Sequence, residues 1–73
     1  MNNKLDLHGV RHHEVQQVVD QFLTKHLYNS TNEVSIIIGN SNKMKKVVDT
    51  VLEDYNLKSE YDHMSKAKLI VKL

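Results

Sequence analysis

The chain has 73 residues, 40% of them hydrophobic and 26% charged, with no cysteine, no proline, two glycines and a formal net charge of +1. That length predicts one domain over residues 1–73 with a single thin core, since folding buries only about 60% of the surface at this size. No disulfide or zinc–thiolate staple can help it, and the longest apolar run, 34–38, is interrupted by Ser35 and falls far short of the roughly 18 residues of a membrane span.

Residues 4–8, Lys4-Leu5-Asp6-Leu7-His8, alternate polar and apolar side chains as a half-buried strand does, and Gly9 stops them. The residues before them carry no leader pattern, and a cysteine-free chain is expected in the cytoplasm. From 12 to 27 the apolar residues Val15, Val18, Val19, Phe22, Leu23 and Leu27 recur at three- and four-residue steps. They form one face of a helix whose other face carries Glu14, Gln17, Gln21 and Lys25. Residues 28–32 are a turn cluster, and the β-branched stretch 33–38 is the second strand. Gly39-Asn40-Ser41-Asn42 then breaks the chain, with Ser41 or Asn42 able to cap a second helix. Met44, Val47, Val48, Val51, Leu52 and Tyr55 make the apolar face of that helix. Residues 57–61 read as a weak edge strand and 67–73 as a strong one, with Ala67, Leu69, Val71 and Leu73 on one face.

The order β-α-β-α-β-β contains two successive βα units, and right-handed crossovers put both helices on one side of the sheet. An α/β fold of the α+β two-layer sandwich type is predicted, with a mixed four-stranded sheet and one open face. Alternation supplies that face with Lys4, Asp6, His8, Ser35, Lys68 and Lys72, relieved by Ile37 and Ile70.

Parallel strands end at the same edge, where ligands of open α/β sheets bind. The two loops there are His8-Gly9-Val10-Arg11 and Gly39-Asn40-Ser41-Asn42. Asp6 and His8, two apart on a strand, share a face and can act on one group of substrate atoms. Imidazole suits proton transfer, and a carboxylate can orient it, take a proton or hold a divalent cation such as magnesium. The second helix opens with Lys43, Lys45 and Lys46 where its dipole favours acidic residues, each cation costing about 0.3–1 kcal/mol if unanswered. A phosphate would answer them together with Gly39, Asn40, Ser41 and Asn42, although a solvated lysine cluster fits the residues alone equally well. His8, His12 and His13 lack dedicated zinc spacing, so no metal site is assigned. His26, beside the apolar stripe, and His63, in a turn, read as structural or exposed. Tyr28, Tyr55 and Tyr61 are too scattered for a base-stacking platform.

The run Leu5-Asp6-Leu7-His8-Gly9 opening a βα unit, Glu14 early in the helix, a second strand ending in Gly39 before a basic helix, and the terminal Ile70-Val71-Lys72-Leu73 strand resemble the Smr (small MutS-related) domain family over essentially the whole chain. The resemblance implies a fold likened to the C-terminal domain of a bacterial translation initiation factor, and a nucleic-acid-binding domain, many of whose relatives nick or cleave DNA or RNA. It also implies catalytic roles for Asp6 and His8. The chain departs from the family at three places. The second motif, usually His or Thr, then Gly, a variable residue and Gly, reads Ile38-Gly39-Asn40-Ser41. Met64-Ser65-Lys66 replaces a glycine-rich turn before the last strand, and Arg11 stands where many members have a capping Thr.

The preferred expectation is a phosphodiesterase acting on DNA or RNA, with Asp6 and His8 as the reacting groups and Gly9, Arg11, Gly39 and residues 40–46 holding phosphate. The alternatives are a non-catalytic nucleic-acid-binding module and a protein-interaction or homodimer module. The last would use the open sheet face around Ile37 and Ile70 or the edge strand.

Overall fold

The computed structural model describes residues 3–73, and the leader reading placed on Met1 and Asn2 lies outside them. The elements follow the expected order: β1 (Lys4–Asp6), α1 (His12–Tyr28), β2 (Glu33–Ile37), α2 (Asn42–Glu53), β3 (Ser59–Asp62) and β4 (Ser65–Lys72). The strands form one mixed sheet in the order β1-β2-β4-β3. β1 runs parallel to β2, and β4 is antiparallel to both of its neighbours.

Alternation along the central strands decides which side carries the helices. Val34, Ile36, Leu69 and Val71 are fully buried, and with Leu7 and Ile38 they meet Val15, Val19 and Leu23 of α1 and Met44, Val48, Val51 and Leu52 of α2 in one core. Ser35, Ile37, Lys68 and Ile70 lie on the opposite, open face. The two helices are also tied to each other, the Tyr55 hydroxyl donating to Asp20 Oδ1 at 3.0 Å.

Both helices end in the same way. After α1 the Thr31 N–H donates to the His26 carbonyl at 2.9 Å and the Ser30 N–H to that of Leu27, with Ser30 at φ 58°. After α2 the Leu57 N–H donates to Leu52 and the Asn56 N–H to Glu53, with Asn56 at φ 57°. This is the Schellman arrangement, which satisfies otherwise orphaned carbonyls at the cost of one left-handed residue. It also explains why β3 starts at Ser59, two residues later than its pattern suggests: Leu57 packs against the core as the closing contact of α2.

The apolar stripe of α1 differs from its prediction at one place. His26 is 1% exposed, and Leu27, expected in the stripe, is 42% exposed. Residues 15, 19, 23 and 26 keep the three- and four-residue rhythm, and the turn cluster supplies a partner for the imidazole. His26 Nδ1 lies 3.0 Å from Thr31 Oγ1, and its ring meets Phe22 edge-on at 4.6 Å. Nε2 has no partner among the described residues.

If one face of the sheet carries the stability, two isoleucines in the same two paired strands must differ. Ile36→Ala is expected to cost about 2–5 kcal/mol. Ile70→Thr, on the open face, should cost about 1 kcal/mol or less. Urea unfolding of the two variants measures the difference, and equal losses would contradict the two-layer core.

Candidate nucleic-acid interface

The parallel ladder of β1 and β2 pairs Lys4 with Ser35, Leu5 with Ile36 and Asp6 with Ile37, and the Leu7 N–H continues it to the Ile37 carbonyl at 2.8 Å. The two strands therefore end level with one another, about 5 Å apart. The loops that follow, 7–11 and 38–41, lie side by side at one edge, and the helices they open both direct their N-termini there. The start of β4 joins them: the Ala67 carbonyl accepts from the N–H groups of both Ile38 and Gly39, at 2.8 and 3.1 Å.

The first loop is built around Asp6. Its Oδ1 accepts from the His8 backbone N–H at 2.8 Å, and the Val10 N–H closes the turn onto the Leu7 carbonyl at 3.0 Å. Gly9 occupies the third position of this turn at φ +84°, which a side chain would resist. Leu7 is drawn fully into the core, so Asp6 and His8 are left exposed at the rim. The carboxylate thus fixes the backbone that carries the imidazole rather than the imidazole itself. Arg11 takes the N-cap position of α1 with no side-chain cap bond, leaving that helix end open.

In the second loop Gly39 adopts φ +67°, and a methyl group added there would meet nothing within 4 Å. Conformation, not crowding, calls for glycine. Ser41 is the cap of α2, its Oγ accepting from the Met44 N–H at 3.0 Å. The N–H groups of Asn42 and Lys43 are left without an intrahelical acceptor, as helix geometry requires. Ile38, the lead residue of the altered second motif, is 4% exposed and belongs to the core. It brings no polar group to the rim.

The three lysines of α2 do not act alike. Lys45 Nζ is paired with Asp49 Oδ2 at 2.6 Å and sits 5.4 Å from the centre of the Tyr61 ring. Its charge is answered within the protein. Lys43 and Lys46 are exposed with no ion pair among the described residues, and with Arg11 they supply the open positive charge of the edge. The fold adds two residues that the sequence did not single out. Tyr61 and Lys66, from the β3–β4 hairpin, line a groove of about 260 Å³ with Asn40, Ser41 and Asn42.

Other surfaces suit a phosphate less. On the open sheet face Lys4, Lys68 and Lys72 are interleaved with Asp6, Glu33 and Glu60, so its charges balance. A larger concavity, about 450 Å³, lies between the end of α2 and the start of β3 and carries Asp49 and Glu53. Among the described residues no three His, Cys, Asp or Glu side chains converge to hold a metal ion. A dedicated protein cage for a divalent cation is therefore absent from this edge among those residues. No described helix is long and apolar enough to cross a membrane.

The hairpin beside the groove is held by its own side chains. Asp62 Oδ1 accepts from the Met64 N–H at 2.7 Å, Ser65 Oγ accepts from the Ala67 N–H, and Lys68 Nζ stands 3.5 Å from Asp62 Oδ2. The Met64 amide, against the opposing effect of desolvation and helped by the Lys68 ammonium, holds the Asp62 carboxyl below its ordinary value of 3.8. A depressed carboxylate stabilises the hairpin above the ordinary aspartate range, and that contribution is lost as pH falls through the lowered value. The Met64 amide resonance should therefore titrate with a midpoint below 3.8. Asp62→Asn should abolish that transition. Gly39→Ala, with space for its methyl but the wrong backbone region, should lower stability by about 1–2 kcal/mol in the same unfolding assay.

Comparison with curated proteins and with solved structures found no match. Comparison with protein families did: the Smr domain matches residues 5–69, from the first strand through the middle of the last. The match covers both rim loops, both helices and the hairpin. The chain belongs to the Smr domain family, a family associated with nucleic-acid binding and nuclease activity.

Proposed function

We propose that this Smr domain binds DNA or RNA through the edge formed by the two rim loops and hydrolyses phosphodiester bonds there. The observation that carries the reading is the level ending of β1 and β2. It brings the exposed Asp6 and His8 to the sheet edge at which α1, capped by Arg11, and α2, with Lys43 and Lys46 near its start, both begin. Backbone N–H groups at helix starts, the helix dipoles and those cations all favour the same anion.

Hydrolysis needs a proton taken from water as it attacks phosphorus and a proton given to the leaving oxygen. His8 brings to this edge an imidazole, a side chain suited to proton transfer. Asp6 holds the His8 backbone through Oδ1, and because the side chain is exposed its second carboxylate oxygen is available to a water. Arg11, Lys43 and Lys46 hold the phosphate and offset the charge that develops on it.

One observation favours a second reading, binding without cleavage. The lead position of the second motif is the buried Ile38, so the loop facing His8 brings no polar side chain from that position. The binding surface does not depend on it.

A panel of labelled single- and double-stranded DNA and RNA, with and without magnesium, separates the readings. His8→Ala should slow cleavage by about 100-fold or more while binding stays near wild type. Asp6→Ala should also lose cleavage. Lys43→Ala/Lys46→Ala should weaken binding to every sequence and lower the slope of log affinity against log salt by about 1–2. Binding by wild type with no cleavage under any condition would establish the second reading. Absence of binding to all four nucleic acids would overturn both.

A further inference from the structure

The β3–β4 hairpin is the part of this edge to which the proposed hydrolysis assigns no residue. Tyr61 pairs with Leu69 across the ladder, so its ring lies on the helix side of the sheet, yet β3 is the outer strand and α2 only flanks it. The ring remains 39% exposed and is no part of the core. It is nonetheless mounted firmly. Ser59 Oγ donates to Asp49, Asp49 pairs with Lys45, and the Lys45 ammonium stands by the ring at 5.4 Å. A chain of polar side chains from β3 and α2 thus braces one aromatic ring at the margin of a groove. The groove's other lining residues are Asn40, Ser41, Asn42 and Lys66.

We propose that this groove takes one unpaired nucleotide of a single-stranded nucleic acid, its base against Tyr61 and its phosphate against Lys66. The inference rests on the reading of the rim as a phosphate site and specifies the kind of strand that reaches it. The face of the ring turned away from the Lys45 ammonium can stack on any base, since every base has a π-face. A paired base inside a duplex has both faces covered by its neighbours, so Tyr61 can serve only a base that has left the stack. The Asn40 and Asn42 amides each offer a donor and an acceptor, as the edge of an unpaired base does. Lys66 lines the same groove with no ion pair among the described residues, and the Lys45 charge is already answered by Asp49. The strand then runs from the Asp6 and His8 rim, past the start of α2, to the hairpin. No isolated helix end could select a single strand over a duplex; the braced ring can.

The test uses the full chain and short labelled oligonucleotides, as DNA and as RNA, single-stranded and as the matching blunt duplex, with affinity read by anisotropy. Tyr61→Leu keeps apolar bulk and removes the aromatic face, and thermal melting confirms that it folds. It should weaken single-strand binding about tenfold. Duplex binding should stay within about twofold of wild type, being carried by phosphate contacts. Tyr61→Phe should restore the single-strand affinity. An oligonucleotide with abasic sugars should bind wild type as weakly as the intact strand binds Tyr61→Leu. Lys66→Ala should lower the single-strand salt slope by about 0.7. If Tyr61→Leu and the abasic strand both bind like their references while Lys43→Ala/Lys46→Ala loses affinity, the groove proposal is wrong and the phosphate rim stands. If wild type binds none of these oligonucleotides, the proposal and the rim reading fall together.

Discussion

Three paired residues hold this architecture to its purpose. β1 contributes only Lys4, Leu5 and Asp6 to the sheet, at its outer edge, yet their parallel register with Ser35, Ile36 and Ile37 determines where both rim loops lie. Parallel strands need a crossover, and α1 supplies it across the helix face. A slip of one residue would turn Leu5 and the fully buried Leu7 to solvent and carry Asp6 and His8 into the core. Burial of Leu7 is thus what keeps the exposed rim in place. The apolar core and the polar edge are set by one alternation.

The electrostatics come from that placement and not from the net charge, which at +1 says little. The open sheet face balances its own charges. The rim gathers two helix N-termini, one without a side-chain cap and one whose cap satisfies a single N–H. The positive ends of both dipoles lie there with cations that have no ion pair among the described residues, and only α1 has a carboxylate, Glu14, in its first turn to offset them. Stability alone would have put a carboxylate in the first turn of α2. Instead that turn has none, and the nearest compensation, Asp49, reaches only Lys45.

Much of this was legible because the relevant periods are short. Two-residue alternation marked β1 and β4, β-branched residues marked β2, and three- and four-residue steps marked both helices. The strand–glycine–polar–helix sequence at Gly39 located a cap that the structure gives to Ser41. The features that escaped depend on relations between distant residues. His26 looks like a polar interruption until Thr31 is folded back onto it to accept or donate at Nδ1. The three lysines look equivalent until β3 sets Tyr61 and Ser59 beside α2, so that Lys45 and Asp49 become a brace. Tyr61 looks isolated in sequence because its neighbours at the groove, Asn40 to Asn42, lie a whole helix earlier in the chain. The strand order β1-β2-β4-β3, which no local pattern specifies, is what brings the hairpin to the rim.

That hairpin also gives a physical sense to one of the departures from the family pattern. A glycine-rich turn is held by little of its own and can sample many shapes. Here the connection between β3 and β4 is only His63 and Met64, and side chains on either side fasten it: Asp62 to the Met64 amide, Ser65 to the Ala67 amide and Lys68 to Asp62. The Ala67 carbonyl in turn accepts from Ile38 and Gly39. A continuous set of hydrogen bonds therefore runs from the hairpin into the second rim loop. The groove wall and the turn at Gly39 are parts of one hydrogen-bonded frame, which sets the hairpin's position relative to the loop beside Asp6 and His8. An edge with few contacts of its own gains selectivity from such a placement. It can require that a strand present a free base and a phosphate at a set spacing, a condition a regular duplex does not meet.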